Sequence, residues 1–306
     1  MAQTAPDLCL SNQALGRYST VIEIASTVIR FLEQSQREKE NFCGPTNVYS
    51  GLFVMAGLAR AMLGDIEGGL ASCEMGLEKA AIMGNPTTLG ICEFYYASIL
   101  LLKADIEKSR DHFQTSITHL EKVKFMQPLA LSWSGLGMAE ILSDRIEEGR
   151  RHIEKGLRIH GETGAEWNRS YHLLHLGVSG YHAKELEHAR RNMEEGLQAA
   201  RTSHEKHLEG KILIWLGRVQ GQLDPGSGDL ARATISAGMK VLDDLETMPD
   251  LSLGYFFLGE LECRLGCHAE GLAHLTRAQG QFQEMGMEYW AKRVRERLPK
   301  TYQYRH

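Results

Sequence analysis

The chain has 306 residues, of which 43% are hydrophobic and 24% charged, and its formal net charge is only −5. Such a weak charge argues against general binding to nucleic acid or to anionic membranes, which requires clustered Lys and Arg. No segment approaches the roughly 20 uninterrupted apolar residues of a membrane-spanning helix. Residues 1–6 have neither the basic start nor the apolar core of a secretory signal. We therefore expect a cytoplasmic protein without membrane contacts.

The first predicted element is a helical hairpin over about 5–36, and it is a degenerate copy of the pattern that fills the rest of the chain. It has Cys9, Val21 and Val28 where later copies have small residues, and a long connector over 37–46 follows it. Degenerate end units are expected of a repeat array, because a terminal unit must cover an otherwise exposed core.

From the second hairpin onward, small residues recur at intervals of about forty positions. Each first helix has one, a second follows twelve or fourteen positions later, and a third follows after another seven. The three series are Gly57, Ala97, Gly137, Gly177, Gly217 and Gly259; Gly69, Ser109, Gly149, Ala189, Ala231 and Gly271; and Gly76, Ser116, Gly156, Gly196, Gly238 and Ala278. Gly in a helix interior costs about 0.5–1 kcal/mol relative to Ala. The pattern therefore predicts helix pairs that cross too closely for side chains.

Prolines and apolar stripes delimit the hairpins. Pro45, Pro86, Pro128 and Pro249 are predicted to fall between hairpins, because Pro interrupts a helix interior. The second helices have large apolar residues between their small ones, which makes them amphipathic. We predict an all-α solenoid, one domain over 1–306, with hairpins at about 5–36, 47–84, 87–125, 128–162, 167–203, 207–246 and 250–285 and a capping helix over 287–298.

This spacing resembles the tetratricopeptide repeat. Phe53, Trp133 and Tyr255 lie four positions before the first small residue, as in the W-x-x-L-G opening of that repeat. The period is longer than the standard 34 or so residues, and segments 64–70 and 282–290 are similar to the C-terminal arrays of bacterial proteins with a cyclase module and a STAND-type ATPase. This resemblance implies an interaction or sensing module only, since the chain has neither a phosphate-binding loop nor a cyclase domain.

No pattern indicates catalysis, a cofactor or a metal. His172 and His175 are spaced to share a helix face, as are His204 and His207, but a metal site needs three or four ligands. The sequence lacks the Gly-x-Ser-x-Gly motif of a nucleophile elbow. We expect no enzyme activity. The cysteines are predicted to be reduced and to serve as packing residues, with Cys263 in the core and Cys267 in a turn. The full set is Cys9, Cys43, Cys73, Cys92, Cys263 and Cys267.

The first helices of such a solenoid are expected to line its concave side. Positions three before, one after and four after each first small residue should face this groove. The predicted partner-binding residues are Phe94, Ser98, Leu101, Ser134, Met138, Ile141, Leu174, Val178, Tyr181, Ile214, Arg218, Phe256 and Glu260. We predict that a peptide or helix of a protein partner binds there, with Arg218 contributing a charge contact. The alternative is that these residues pack against neighbouring first helices.

Two functions are compatible with this pattern. The first is a non-catalytic scaffold or adaptor in bacterial signalling or assembly. The second is a ligand-sensing regulatory module, for a small molecule or short peptide, of a larger STAND-type signalling protein. RNA binding is disfavoured because no coherent basic stripe is present.

Overall fold

A computed structural model describes residues 2–42 and 44–298 of the chain. These residues form fifteen α-helices and one short 3₁₀ helix, and no β-strand occurs among them. The predicted all-α fold is therefore confirmed. The helices are α1 (Ala5–Ala14), α2 (Tyr18–Gln34), α3 (Val48–Met62), α4 (Ile66–Met83), α5 (Pro86–Lys103), α6 (Ile106–Val123), α7 (Met126–Leu142), α8 (Ile146–Glu162), α9 (Arg169–His182), α10 (Leu186–Thr202), α11 (Lys206–Leu223), α12 (Gly228–Asp244), α13 (Met248–Arg264), α14 (His268–Glu284) and α15 (Glu288–Arg295).

Successive helices pack as seven hairpins, from α1 with α2 to α13 with α14, and α15 packs on α14. From α3 onward, each first helix also contacts the first helix of the next hairpin. This stacking is the arrangement of a helical-repeat solenoid, in which each unit buries its apolar stripe against its neighbours. No helix in the described part of the chain is long and apolar enough to span a membrane.

The predicted close approach of the two helices within a hairpin is confirmed at the glycines. A Cβ added to Gly137 would lie 2.5 Å from the carbonyl oxygen of Gly149, and one added to Gly149 would lie 2.5 Å from the carbonyl oxygen of Gly137. The reciprocal distances at Gly57 and Gly69 are 2.7 and 2.6 Å. Gly196 is less tightly packed, because the nearest atom to an added Cβ lies at 3.2 Å. The small residues therefore mark crossings where backbone touches backbone.

Three prolines lie inside helices rather than between hairpins, which corrects the predicted boundaries. Pro86 is the first residue of α5, Pro249 the second of α13, and Pro128 the third of α7. The first turn of a helix tolerates Pro, because its backbone N–H groups have no partner within the helix and the fixed φ angle suits a helix start. Pro45 precedes α3, outside any helix.

The cysteines match their predicted packing role where they are described. Cys9, Cys73 and Cys92 are buried free thiols, and burial raises the pKa of Cys9 to about 11. Cys263 lies near the end of α13, and Cys267 is the N-cap residue of α14, in the turn between the two helices. Cys43 lies outside the described residues.

The two ends of the array meet. A Cβ added to Gly16, in the turn between α1 and α2, would lie 2.6 Å from Leu245 Cδ1, just after α12. One added to Gly64, in the turn between α3 and α4, would lie 3.4 Å from Met248 Cβ at the start of α13. The solenoid therefore closes on itself, with its first helices inside.

Candidate functional site

One cavity of about 280 Å³ lies between the first helices of all seven hairpins. Lining residues come from α1, α3, α5, α7, α9, α11 and α13. Tyr18, the connector residues 167–168, Glu205 just before α11 and Trp290 of α15 complete the wall. The prediction that first helices line the concave side is confirmed. Closure of the array places residues from both ends around that concave side.

The cavity wall is mainly aromatic and aliphatic. Aliphatic residues come from all seven first helices. Aromatic side chains contribute large apolar surfaces, and Tyr and Trp add a polar tip that usually finds a hydrogen-bond partner. The aromatic residues are Tyr18, Phe94, Tyr95, Trp167, Tyr171, Trp215 and Trp290.

Gln13 fixes α1 over this cavity. Its Nε2 donates to the carbonyl oxygen of Met55 (3.4 Å), and its Oε1 accepts from the Tyr95 hydroxyl (3.1 Å). Burial raises the pKa of Tyr95 above its ordinary value, so the hydroxyl stays protonated as a donor. These bonds join α1 to α3 and α5, which places Leu10 and Ala14 in the cavity wall.

A polar network closes the seam between the two ends of the array. The hydroxyl of Tyr18 lies 3.0 Å from His207 Nδ1, and His207 Nε2 lies 2.6 Å from Asp250 Oδ2. Lys211 Nζ forms an ion pair with Asp250 Oδ1 at 3.0 Å. Burial alone would raise the pKa of Asp250, but Lys211 and His207 outweigh burial and hold it below its ordinary value. The buried carboxylate thus links α11 and α13 to the start of α2.

Glu205 anchors the connector that contributes Trp167 to the wall. Both oxygens of its buried carboxyl accept hydrogen bonds, from the Asn168 backbone N–H (2.9 Å) and the Ser170 hydroxyl (2.6 Å). Burial raises the pKa of Glu205, and these two donors oppose that shift. Asn168 has φ of +72°, a conformation that Asn tolerates better than most residues. The connector is therefore held in one conformation.

A second, more polar hollow of about 440 Å³ adjoins the cavity. It lies between α1 and the turn before α11, and it shares Leu10, Ala14 and Trp167 with the cavity wall. Its remaining residues are Asp7, Ser11, Leu15, Ser203 and His204. The apolar cavity thus adjoins a more polar crevice beside α1.

Six of the thirteen predicted groove residues line the cavity, namely Phe94, Ser98, Leu101, Met138, Leu174 and Val178. They lie on α5, α7 and α9, the central first helices. The structure thus brings these six residues together on one surface. Their role in binding a partner stays a prediction.

The predicted groove placement is wrong for Ser134, Ile141 and Ile214. All three are buried between helices and none lines the cavity. Each fills the space beside a glycine of its own second helix, in the pairs Ser134 with Gly156, Ile141 with Gly149, and Ile214 with Gly238. A protein interior is close-packed, so the space that a glycine leaves open must be filled. Here a side chain of the facing first helix fills it.

Arg218 is also not available for the predicted charge contact with a partner. Its Nη2 lies 2.7 Å from Glu260 Oε2, and its guanidinium carbon lies 4.9 and 5.5 Å from the ring centres of Tyr181 and Phe256. Glu260 also pairs with Arg297 at 2.9 Å. These predicted groove residues instead form an aromatic and ionic cluster between the C-terminal hairpins and the cap, outside the cavity wall.

The histidine pair on α9 belongs to a buried cluster. His172 Nδ1 lies 2.6 Å from Ser134 Oγ, and the rings of His160 and His172 are 4.9 Å apart. Burial lowers the pKa of His172 to about 3 and that of His175 well below its ordinary value. Within residues 2–42 and 44–298, no group of three or more His, Cys, Asp or Glu side chains could hold a metal ion. His207 of the second predicted pair belongs to the seam network.

Sequence reasoning missed the part of the cavity that comes from the ends and connectors. Gln13 and Tyr18 lie in the degenerate first unit, Trp290 in the cap and Trp167 in a connector. Trp167 had no sequence signal either, since the predicted hairpin bounds put it at the start of the fifth hairpin rather than in a connector. Closure of the array, which recruits the other three, has no local sequence signature.

No family model matches the sequence, and no curated protein matches it. Solved structures do. A Rap protein complexed with Competence and Sporulation Factor has a TM-score of 0.72 at 13% identity, covering 90% of this chain and 73% of its own. The Rap conjugation gene regulator of plasmid pLS20, in complex with the Phr* peptide, has a TM-score of 0.69 at 14% identity. This match covers 100% of this chain and 76% of the regulator. The chain has the tetratricopeptide-repeat fold.

The predicted resemblance to STAND proteins also has a structural counterpart. A STAND protein with a tetratricopeptide repeat sensor from Pyrococcus horikoshii has a TM-score of 0.55 at 14% identity, and the match covers 90% of this chain but 42% of that one. The chain described here therefore matches the fold of less than half of that STAND protein.

Proposed function

We propose that this protein is a non-catalytic binding module that takes a short peptide of a partner into the crevice beside α1 and inserts its apolar side chains into the cavity. The observation that carries this proposal is that the two hollows adjoin and share Leu10, Ala14 and Trp167 in their walls. A peptide has a polar backbone and apolar side chains, which match a polar crevice beside an apolar interior.

The size of the cavity favours an extended peptide over a partner helix. A helix with its side chains is about 10–12 Å across and rises 5.4 Å per turn, so one turn occupies on the order of 500 Å³. The cavity offers about 280 Å³, enough for one or two large side chains. The Rap regulator bound to the Phr* peptide has the same fold, which supports a peptide as the ligand.

We place the module in the bacterial cytoplasm, as an adaptor in signalling or assembly that uses no cofactor and does not bind membranes or nucleic acid. The free buried thiols of Cys9, Cys73 and Cys92 support a reducing compartment. The small net charge of −5 supports a protein or peptide partner over nucleic acid.

The second candidate function is a ligand-sensing regulatory module. One observation favours it: residues from both ends of the array, Tyr18 and Trp290 among them, share the cavity wall. An occupant would therefore bridge the first and last hairpins and stabilise the closed form. A small molecule that raises the melting temperature, while no peptide does, would favour this alternative.

The test is binding of a pentapeptide library, selected on the intact protein and identified by mass spectrometry, with affinities then measured by calorimetry. Ser98→Trp should weaken binding of the selected peptides more than tenfold, because Ser98 lines the cavity and its hydroxyl bonds only within its own helix, to Phe94. The matched control is Ser26→Trp on an exposed face of α2, which should bind as the unchanged protein does. Absence of any selected peptide, or equal binding by both variants, would contradict the proposal.

A further inference from the structure

The charged groups of the cavity wall already have partners within the protein. Among the described lining residues, Glu205 and Lys211 are the only Asp, Glu, Lys or Arg side chains. Lys211 is paired with Asp250 at 3.0 Å. The two oxygens of Glu205 accept hydrogen bonds from uncharged donors, the Asn168 backbone N–H and the Ser170 hydroxyl. The wall therefore offers no unpaired positive charge to a ligand.

The two histidines of the wall do not supply a free charge either. His207 lies between the Tyr18 hydroxyl and Asp250, with both ring nitrogens engaged. His175 is buried, and Lys211 and His172 nearby add to burial in lowering its pKa well below the ordinary value. It is therefore neutral at physiological pH.

An anionic ligand group would lose its hydration here without a counter-charge. Moving an unpaired carboxylate into an apolar site is strongly unfavourable even after relaxation. Binding a carboxylate to Lys211 would require it to compete with Asp250, whose removal from that pair would leave a buried anion unpaired. An uncharged aromatic or branched aliphatic group faces neither cost.

The volume sets a limit on such a group. A cavity of about 150 Å³ is enough to bind benzene, and this one is about 280 Å³. It therefore accommodates roughly two aromatic rings, or two large apolar side chains of a peptide.

We infer that the cavity selects uncharged aromatic or branched aliphatic ligand groups of up to about two rings and excludes anionic ones. This rests on the proposed function for the location of the site and adds the chemistry of what enters it. The same group could belong to a peptide side chain or to a free small molecule, and the experiment below separates these sources.

Two fluorescent probes of one scaffold test this selectivity on the intact protein. 1-Aminonaphthalene, which has two fused rings, is uncharged at neutral pH, and 5-aminonaphthalene-1-sulfonate adds only a sulfonate. The uncharged probe should bind with one-to-one stoichiometry, and the sulfonated probe at least tenfold more weakly. Ser98→Trp should reduce binding of the uncharged probe more than tenfold, whereas Ser26→Trp, with its added ring on the surface, should not change it. Circular dichroism and a melting curve check that both variants are folded.

The outcomes separate this inference from the proposed function. Only the part of the binding signal that Ser98→Trp removes reports on the cavity. If the sulfonated probe binds there as tightly as the uncharged probe, or more tightly, the charge selectivity is overturned. Binding of the uncharged probe that Ser98→Trp leaves unchanged would also overturn it. Displacement of the bound probe by N-acetyl-Leu-Phe-amide, but not by N-acetyl-Asp-Glu-amide, supports both proposals. If the uncharged probe binds as expected and no library peptide displaces it, the peptide function fails and the selectivity stands.

Discussion

At the scale of single residues, the array depends on glycines that leave no room for a side chain. The two carbonyl oxygens at the crossing of α7 and α8 each lie 2.5 Å from the position of a Cβ on the facing glycine, at Gly137 and Gly149. A backbone oxygen inside a helix cannot turn away as the end of a flexible side chain can. The sequence therefore keeps Gly at both positions, despite its cost to helix stability, because any larger residue would push α7 and α8 apart.

We expect Gly137→Ala to destabilise the protein by about 1–2 kcal/mol, since overpacking costs about 1–3 kcal/mol and the gain in helix propensity returns about 0.5–1. Gly280→Ala is the matched control, because an added Cβ there meets nothing within 4 Å, and it should stabilise α14 by about 0.5–1 kcal/mol. Urea unfolding measures both free energies. Shifts of the same sign in the two variants would contradict the packing account.

At the scale of helices, the spacing of residues predicted which helices pair but only partly which side chains face inward. The position after each first small residue holds Ser98, Met138 and Val178 in the central hairpins, and all three line the cavity. The same position failed at Arg218, where aromatic rings and Glu260 surround the side chain. Helical periodicity determines which side chains share one face of a helix. What that face contacts depends on the neighbouring hairpins, and these differ between the middle and the end of the array.

The buried histidines around α9 make stability depend on pH. The pKa of His172 is about 3 in the folded protein, compared with about 6.5 in an unfolded chain. Below pH 6.5 the unfolded state therefore binds a proton that the folded state does not, so the free energy of unfolding falls as the pH decreases toward 3. From pH 8 to pH 5, His172 alone should cost about 2 kcal/mol.

Urea unfolding at several pH values tests this prediction. His172→Asn removes the titrating group and retains a side chain that can hydrogen-bond to Ser134, so the loss between pH 8 and pH 5 should shrink by about 2 kcal/mol. His188→Asn, at an exposed position on α10, should leave the pH dependence unchanged. An equal pH dependence in the His172 variant and the unchanged protein would mean that His172 is not buried in its neutral form.

At the scale of the whole molecule, the site exists because the array closes. Leu10, Gln13 and Trp290 come from opposite ends of the chain and reach the cavity only because the seam brings those ends together. The helical pairs could be predicted from a forty-residue pattern, since each pair is local. Closure could not, because it results from the small rotation between successive hairpins added over seven of them.

Small-angle X-ray scattering of the intact protein in solution tests closure most directly. A compact chain of 306 residues has a radius of gyration of about 19 Å, and the closed array should give about that value with a single, nearly symmetric distance distribution. A clearly larger radius with a long tail of distances would mean that the hairpins form an open, extended solenoid. In that case the first and last hairpins would not share a cavity, and the proposed site would not exist.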